Sequence, residues 1–586
     1  MERNAFLINK KIHQYILPGV LMTVAMQLGN VVDGMIVGNL LGPDAMAAIE
    51  LSMPVLLFLQ MPGMMLAMGG AAEAAVLLGK RKMREADGVF TASLITGAVI
   101  SLLFAACTPY LPGVLSSALA GNKQMAALVK PYIAVNFWGI PVLTLAMIFC
   151  YFMNADNHPQ LGSALFIIAN VVNLILDVAF LKILHMGMAG SALSTIIGYL
   201  VGMVTVVFYF RSKHRMLKLE KPDKEMLLFV KMAAAAGVPS AAFTLMAAGE
   251  SVAVNTAIVR LLGNGPMAVY SVCSNVMLIA ELFVGGVIGL IPNIAGILYG
   301  ERDYYGIRVL CKKVLTYSYV TIAALIALFL LFPQVIAGMF GIVEGEMLEL
   351  CKLALRISAF RFLFYVYNKF LMSYYQTILQ PGLSTVITVL QGFVIIVPLT
   401  LIGILWKGLP GACIAAVFSE ILTILFSTLY RMMRQKTGKI PGGGQYMLPQ
   451  IKEETFFDFS IENDMEDVTR LRDRLFAFCA DNGICERDAN LLGLALEEIT
   501  ANIVRYGYRQ DKKNYIDISF TIQDGSYLLR IRDDGVPFNP LEQEMPDDGP
   551  IVGGIALIRK IMSDFQYMRV LNMNNTIIRL KIGERK

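Results

Sequence analysis

The sequence is poor in charge and in histidine, and its cysteines are scattered. Charged residues make up 16% of the 586 residues, against about 25% in soluble domains, which excludes a single soluble domain. The eight cysteines form no C-x-x-C pair and the four histidines lie far apart, so we predict no zinc site. The net charge is only +5 and residues 456–586 are acidic, so nucleic-acid binding has little support.

The few charges are unevenly distributed along the chain. Residues 456–586 hold 39 charged residues out of 131, whereas residues 1–455 hold 54 out of 455. The mean hydropathy of the whole chain is +0.62, and 56% of its residues are hydrophobic. We therefore predict an all-α membrane part followed by a compact soluble domain.

Twelve apolar segments are long enough to cross a bilayer, which takes about 20 residues in a helix. The connections on the N-terminal side of the membrane carry 21 lysines and arginines, and those on the other side carry 4. This bias predicts a multi-pass protein of the cell membrane with both termini in the cytoplasm. The predicted spans are 15–40, 46–78, 87–108, 126–153, 160–184, 187–211, 226–262, 268–300, 307–332, 347–377, 381–404 and 408–431.

The two halves of the membrane part resemble each other at a constant offset of 221 residues. Residues 41–47 correspond to residues 262–268. A glycine also recurs 221 residues after Gly79, Gly187 and Gly190. Six spans per half is an even number, so the halves share one topology and form two six-helix lobes that face a central cleft, as in an alternating-access transporter.

These patterns divide the chain into five parts. Residues 436–455 include three consecutive glycines and are typical of a linker. The predicted parts are a first six-helix lobe (1–210), a cytoplasmic linker between the lobes (211–225), a second six-helix lobe (226–435), a second linker (436–455) and a cytosolic domain (456–586).

Ionisable side chains inside spans cost about 3 kcal/mol each on insertion scales, so each is a candidate site. Asp33 and Asp177 are the strongest, and Asn173 shares a helix face with Asp177. A buried carboxylate can take up a proton, and carboxylate and amide oxygens can bind Na⁺. Glu250 is a further candidate. The alternative is that these side chains only form hydrogen bonds to neighbouring helices. This alternative has more weight for Glu250, Glu281 and Glu420, and the most for Glu50, Glu73 and Lys369. The remaining candidates are Glu50, Glu73, Glu281, Lys369 and Glu420.

Residues 31–48 resemble the first-span signature of the multidrug and toxic compound extrusion (MATE) transporters, and residues 173–177 and 190–195 resemble further elements of that family. The resemblance covers about residues 10–435, although residues 154–159 depart from the family's usual loop. It implies export of cationic, amphipathic compounds in exchange for H⁺ or Na⁺. The positions that match the family's first-lobe cation site are Asp33, Asn173, Asp177 and Thr195.

Residues 456–586 have the pattern of an α/β sandwich. The chain contains no G-x-x-x-x-G-K-[ST] motif, which excludes an ATP-binding-cassette exporter. The predicted strands are 456–461, 514–522, 526–533, 565–571 and 576–582, and the predicted helices are 464–482, 485–507 and 554–563.

Three short elements of this domain suit a nucleotide. Asn502 follows Glu498 by one helical turn, so an amide oxygen can ligate the Mg²⁺ of Mg-ATP beside a carboxylate that can act as general base. Asp533 ends a strand and can accept from the adenine amino group, and Gly535 allows the base to approach closely. The third element is the pair Gly553 and Gly554, which opens a helix and can hold phosphate.

The order of these elements is similar to that of the GHKL ATPase superfamily and, within it, of the anti-sigma-factor serine kinases. Residues 533–540 and 557–564, together with Asn575, carry the resemblance. It implies ATP and Mg²⁺ as cofactors and phosphorylation of a serine on a partner protein. The domain contains no histidine, so it is not a self-contained histidine kinase.

The sequence thus favours a cation-coupled exporter of organic, cationic compounds with a cytosolic domain that binds ATP or phosphorylates a partner. One alternative is a membrane-anchored regulatory kinase whose spans act as a receptor. Another is a flippase for lipid-linked substrates. The expected partners are a small organic substrate, the lipid bilayer and a regulatory protein that carries the serine.

Overall fold

The chain forms two compact units in the computed structural model, Gln14–Ile440 and Met1–His13 with Pro441–Lys586. The described residues are 3–119, 123–213, 215–222, 224–340, 342, 344–438, 440, 444–448, 456–508, 513–523, 525–542 and 554–582; inside helix α1 and at the start of α2, several side chains, Asp33 among them, lie outside the description.

The first of these units is built from long helices. Three short π-helical turns, Ala179–Ile183, Ile291–Ala295 and Leu390–Val394, interrupt them. The helices are α1 Phe6–Leu41, α2 Pro43–Gly79, α3 Met83–Ala106, α4 Leu111–Leu119, α5 Lys123–Ala155, α6 Pro159–Val178, α7 Gly187–Gly202, α8 Val204–Arg211, α9 Met226–Leu262, α10 Asn264–Ile288, α11 Gly296–Gly300, α12 Tyr304–Leu331, α13 Pro333–Met339, α14 Glu346–Thr377, α15 Pro381–Val389 and α16 Ile396–Lys436.

Nine helical stretches in the described part of the chain are long and apolar enough to cross a membrane. The last of them, Pro381–Lys436, contains two of the predicted spans, and the backbone breaks between them at Lys407 and Gly408, where the dihedral angles are not helical. The predicted spans 15–40 and 347–377 coincide with α1 and α14. The structure therefore has a helix at the place of every predicted span.

The internal repeat is visible in the backbone. Gly42 and its repeat partner Gly263 both have a φ of 90°, a left-handed value that favours glycine, and each separates two long helices. Gly79 and its partner Gly300 pack against each other, since a Cβ on Gly79 would lie 2.9 Å from the Gly300 Cα. The offset of 221 residues is thus a structural equivalence between the halves.

Asp156 forms hydrogen bonds with the end of the first half and with the linker that follows it. It lies between α5 and α6, is fully buried, and accepts a 2.6 Å hydrogen bond from the Tyr209 hydroxyl. It also accepts bonds of 2.9 Å from the Met216 backbone N–H and 3.1 Å from that of Leu217. The loop that departs from the MATE pattern therefore holds the start of the linker after α8.

Asp156→Ala is expected to destabilise the protein by about 3 kcal/mol, because three donors, two of them buried, lose their acceptor. Thermal unfolding in detergent should show a clear loss of stability relative to the unaltered chain. The exposed Glu344→Gln serves as control and should unfold like the unaltered chain. Equal unfolding of all three proteins would contradict the role of Asp156.

The other unit contains a five-stranded antiparallel sheet of order β1-β2-β3-β5-β4 with helices. The predicted α/β arrangement is thereby confirmed. Its elements are β1 Phe456–Glu462, α17 Met465–Asp481, α18 Glu486–Asn502, a π-helical turn Ile503–Gly507, β2 Tyr515–Gln523, β3 Ser526–Asp533, α19 Gly554–Ile561, β4 Asp564–Val570 and β5 Met573–Lys581.

The two faces of this sheet differ in polarity because successive strand residues point to opposite sides. Phe457 and Ile461 of β1 and Ile518 of β2 belong to one core with buried residues of α17 and α18. The alternate positions Asp458 and Ser460 of β1 lie on the other face. The core fixes α18 against the sheet, and α18 carries two of the predicted nucleotide-binding residues.

Candidate functional sites

A cluster of oxygen-bearing side chains is buried between α6 and α7 in the first half. Asp177 is fully buried and accepts a hydrogen bond from the Ser194 hydroxyl. The Asn173 amide donates to Ser194 and to Thr195 at 3.1 Å each. Three of the four predicted first-lobe residues thus lie in one network, and Ser194 connects them.

Close helix packing makes this cluster possible. A Cβ on Gly198 of α7 would lie 2.4 Å from the Ala169 carbonyl oxygen of α6, and a Cβ on Gly202 would lie 2.6 Å from that of Leu165. Small residues let the helix backbones approach, so short polar side chains can meet between them. The arrangement suits a small cation that takes oxygen ligands.

The other predicted transport residues are not part of this described network. The side chain of Asp33, like that of Glu50, lies outside the described residues. Glu250 lies on α9 in the second half, where it interacts electrostatically with Arg361 and Glu420. The structure therefore places Glu250 beside a second polar cluster.

This second cluster surrounds the fully buried Glu420 of α16. Its carboxylate accepts from Arg361 at 3.0 Å, from Asn368 at 2.9 Å and from Gln391 at 2.8 Å. Arg361 compensates the charge of this buried carboxylate and the two amides satisfy its oxygens, so loss of Arg361 would leave an uncompensated charge. The sequence named Glu420 as a hydrogen-bonding candidate but not its three partners.

Lys369 and Glu281, also candidates in the second half, form a pair of their own. The Lys369 ammonium lies 2.7 Å from the Glu281 carboxylate and 3.8 Å from the centre of the Phe243 ring. An ion pair and a cation–π contact keep both charges neutralised. The hydrogen-bonding alternative for these two residues therefore has direct geometric support.

The unit that contains the five-stranded sheet has a cavity of about 510 Å³ at the C-terminal end of α18. Its walls are partly apolar, which suits the flat face of a base, and partly polar. The residues that line it are Glu498, Ile499, Asn502, Ile503, Tyr506, Gly507, Asp533, Val536, Pro537, Phe538, Pro540, Gly554, Ile555, Asn574 and Thr576.

Glu498 and Asn502 lie together on the α18 side of the cavity. The Asn502 amide nitrogen donates to Glu498 Oε1 at 3.0 Å, so the Asn502 amide oxygen points away from the Glu498 carboxylate. A Cβ on Gly554 would lie 2.0 Å from Glu498 Cδ, so a larger residue where α19 begins would displace the Glu498 carboxylate. The N-terminus of α19 thus reaches the cavity beside the two side chains.

Asp533 lies at the opposite wall, at the end of β3. Its Oδ1 accepts from the Gly535 backbone N–H at 2.8 Å and from the Asn574 amide at 2.9 Å. Burial raises the pKa of Asp533 to about 6, against these two bonds, which favour the ionised form. A Cβ on Gly535 would lie 2.5 Å from the Gly507 carbonyl oxygen, so this turn requires glycine.

The predicted nucleotide affinity should fall as the pH drops through about 6. Oδ1 of Asp533 already accepts two hydrogen bonds, so a proton on Oδ2 would turn the acceptor for the adenine amino group into an O–H donor. Below that pH the loss should approach roughly ten-fold per unit. Titration of Mg-ATP binding between pH 7.5 and 5 measures it. Asp533→Asn controls for protonation of the phosphates, and the two proteins should differ in slope. Parallel profiles would contradict an ionised Asp533.

The family comparison matches a part of each unit. Residues 18–179 match the MatE family model, and residues 461–582 match the model of the histidine kinase-like ATPase domain. This chain joins a MatE domain to a histidine kinase-like ATPase domain.

Relatives and solved structures agree with the MatE domain. The chain is 22% identical over 425 residues to multidrug export protein MepA of Staphylococcus haemolyticus (strain JCSC1435), covering 69% of this chain and 90% of that protein. It is 21% identical over 375 residues to probable multidrug resistance protein YoeA of Bacillus subtilis (strain 168), covering 60% and 77%.

A solved structure has the same fold. It is an outward-facing conformation of a multidrug resistance MATE family transporter of the MOP superfamily, with a TM-score of 0.68 and 20% identity, covering 74% of this chain and 97% of that one. The likeness shows that the membrane unit has the fold of a MATE transporter.

The ATPase domain contains site residues that the sequence did not single out. Asn574 and Thr576 of β5 line the cavity, whereas Asn575, which carried the resemblance, alternates to the other side of the strand. The alternation of side chains along a strand is the signal that could have placed Asn574 and Thr576 on one face of β5 and Asn575 on the other. Gly553 lies outside the described residues, so its predicted contact with phosphate stays a prediction.

Proposed function

We propose that the membrane unit is a cation-coupled antiporter that exports organic, cationic compounds. The observation that carries this proposal is the fully buried Asp177 in its network with Asn173, Ser194 and Thr195. A carboxylate at that depth is stable only when a proton or cation neutralises it. It therefore supports exchange of a coupling ion, H⁺ or Na⁺, for a cargo.

The chemistry of the cluster supports competition between two cations. Asp177 is the carboxylate of the network, and the hydroxyls and amide around it add neutral oxygen ligands. Release of the coupling ion would leave a buried negative charge that attracts a positively charged compound. The printed names of the relatives, multidrug export and multidrug resistance proteins, support small organic compounds as cargo.

The test is transport by the whole chain in proteoliposomes without ATP. Liposomes loaded with ethidium, an organic cation, should lose it when a proton or sodium gradient is imposed, and should retain it without a gradient. Flux that requires ATP, or no flux under either gradient, would contradict the proposal. Transbilayer movement of labelled lipid in the same vesicles would instead favour the flippase.

For the ATPase domain we propose Mg-ATP binding with a regulatory role, on the cytoplasmic side of the membrane. The fit is supported by Gly535, where a Cβ would clash with the Gly507 carbonyl oxygen, and by Gly554, which leaves room for the Glu498 carboxylate. The donors and acceptors of the cavity support it as well. Asp533 would hold the adenine amino group and the Asn502 amide oxygen would ligate Mg²⁺. The bound nucleotide would supply a transferable phosphoryl group.

Glu498, one of two carboxylates that line the cavity, is the residue proposed to take a proton from an attacking hydroxyl, such as the serine of a partner protein. Its neighbour Asn502 orients it through the 3.0 Å hydrogen bond. A serine-kinase activity of this kind would be seen as phosphate on a co-purified protein, lost in Glu498→Gln. A domain that only binds ATP would leave co-purified proteins unlabelled.

A further inference from the structure

The N-terminal residues of the chain pack against the ATPase domain. Met1–His13 and Pro441–Lys586 form one compact unit, although 456 residues separate Asn4 from Ser460. The predicted first lobe, residues 1–210, includes these first residues, whereas the structure groups them with the ATPase domain. Their contacts with the domain involve charged, polar and aromatic side chains.

The first contact involves the polar face of the sheet. The Arg3 guanidinium lies 3.2 Å from the Asp458 carboxylate of β1 and 3.4 Å from that of Asp517 of β2. The Asn4 backbone N–H donates to the Ser460 hydroxyl at 3.0 Å. Arg3 is 8% exposed and Asp517 is 4% exposed, so this is a desolvated ion cluster.

The second contact involves Asp534, which follows the cavity residue Asp533 in the chain. Lys10 forms an ion pair with Asp534, whose side chain is 2% exposed, and Lys11 donates to the Asn572 carbonyl oxygen at 3.2 Å. Asp534 also accepts from the Tyr508 hydroxyl at 3.2 Å. It stands directly between Asp533 and Gly535, the turn that forms the adenine wall.

An aromatic contact lies between these two ends. The Phe6 and Tyr515 rings have centroids 4.8 Å apart. Charge complementarity is consistent along the segment, because its three basic residues, Arg3, Lys10 and Lys11, meet carboxylates or a carbonyl. The surface of the ATPase domain that binds this segment is therefore complementary to a basic, partly apolar segment.

We propose that residues 3–11 are an intramolecular ligand of the ATPase domain that couples nucleotide occupancy to α1. This rests on the proposed nucleotide site. The Lys10–Asp534 pair stabilises the turn that presents Asp533, so docking of the segment favours nucleotide binding. By reciprocity, bound nucleotide favours docking. The helix α1 begins at Phe6 and continues to Leu41, so the docked segment and the predicted first span are parts of one helix.

The experiment breaks docking at Arg3, whose two partners, Asp458 and Asp517, do not line the cavity. Mg-ATP affinity is measured on the full chain for Arg3→Glu, for the exchanged pair Arg3→Glu with Asp458→Arg, and for the exposed control Arg487→Glu. The single variant should bind roughly five-fold more weakly. The exchanged pair should recover affinity, which also shows that the domain is folded. The control should match the unaltered chain.

Hydrogen exchange supplies the reciprocal readout. Amides of residues 3–13 should exchange more slowly when Mg-ATP is added, and this protection should disappear in Arg3→Glu. Equal affinity in Arg3→Glu and Arg487→Glu, or exchange that ignores Mg-ATP, would overturn the coupling while leaving the nucleotide site intact. Absence of Mg-ATP binding by the unaltered chain would overturn both.

Discussion

Asp177→Asn is expected to reduce gradient-driven ethidium efflux by at least about 100-fold, to the level of ethidium-loaded liposomes without protein. Asparagine keeps the shape of the side chain and can still accept from Ser194. It carries no charge, so it neither releases a proton nor attracts a cation into the buried cluster. Retained folding with lost transport would therefore locate the coupling in the carboxylate and not in the packing of α6 and α7.

The matched control is Glu344→Gln, the same chemical change at an exposed position. It should transport like the unaltered chain. Asp33→Asn should resemble Asp177→Asn, because the resemblance assigns both residues to one cation site. Full efflux by Asp177→Asn would show that the first-lobe cluster is structural. Glu250 and its neighbours in the second half would then be the candidate coupling site.

Asn502→Ala is expected to weaken Mg-ATP binding to the full chain by about 100-fold, because it removes a cation ligand and the residue that orients Glu498. Calorimetric titration in detergent measures the affinity. Asn482→Ala deletes an amide elsewhere in the same domain, where it donates only to its own helix, and should bind normally.

Withholding the metal separates the two roles of Asn502. When EDTA replaces Mg²⁺, the unaltered chain should bind ATP about as weakly as Asn502→Ala, since the lost ligand no longer matters. A large difference that persists without Mg²⁺ would show that Asn502 acts on the nucleotide itself or on the fold of the cavity, and the assignment as a metal ligand would be wrong.

Much of the membrane fold could be predicted because long apolar runs and the repeat are local signals. Gly42 and Gly263 were visible as equivalent residues, and the structure gives them the same φ of 90°. Pairing across distant spans has no such signal. Arg361 and Gln391 contact Glu420 from separate helices, and no spacing in the sequence predicts these contacts.

The ATPase domain shows the same division. Glu498 and Asn502 are one helical turn apart, so their contact follows from the sequence alone. The pairing of Asp533 with Asn574 depends on the register of β3 against β5, which residue types do not specify. The docking of the basic N-terminal segment was equally hidden, since it joins residues separated by more than 450 positions.

The central claim is that a coupling ion and an organic cation compete for the first-lobe carboxylate. The most direct measurement is ion release from the purified chain, without a membrane, when ethidium is added to unbuffered solution. A proton electrode and radioactive sodium should together report about one ion released per ethidium bound, and none from Asp177→Asn. Ethidium binding with no ion released by the unaltered chain would contradict the account.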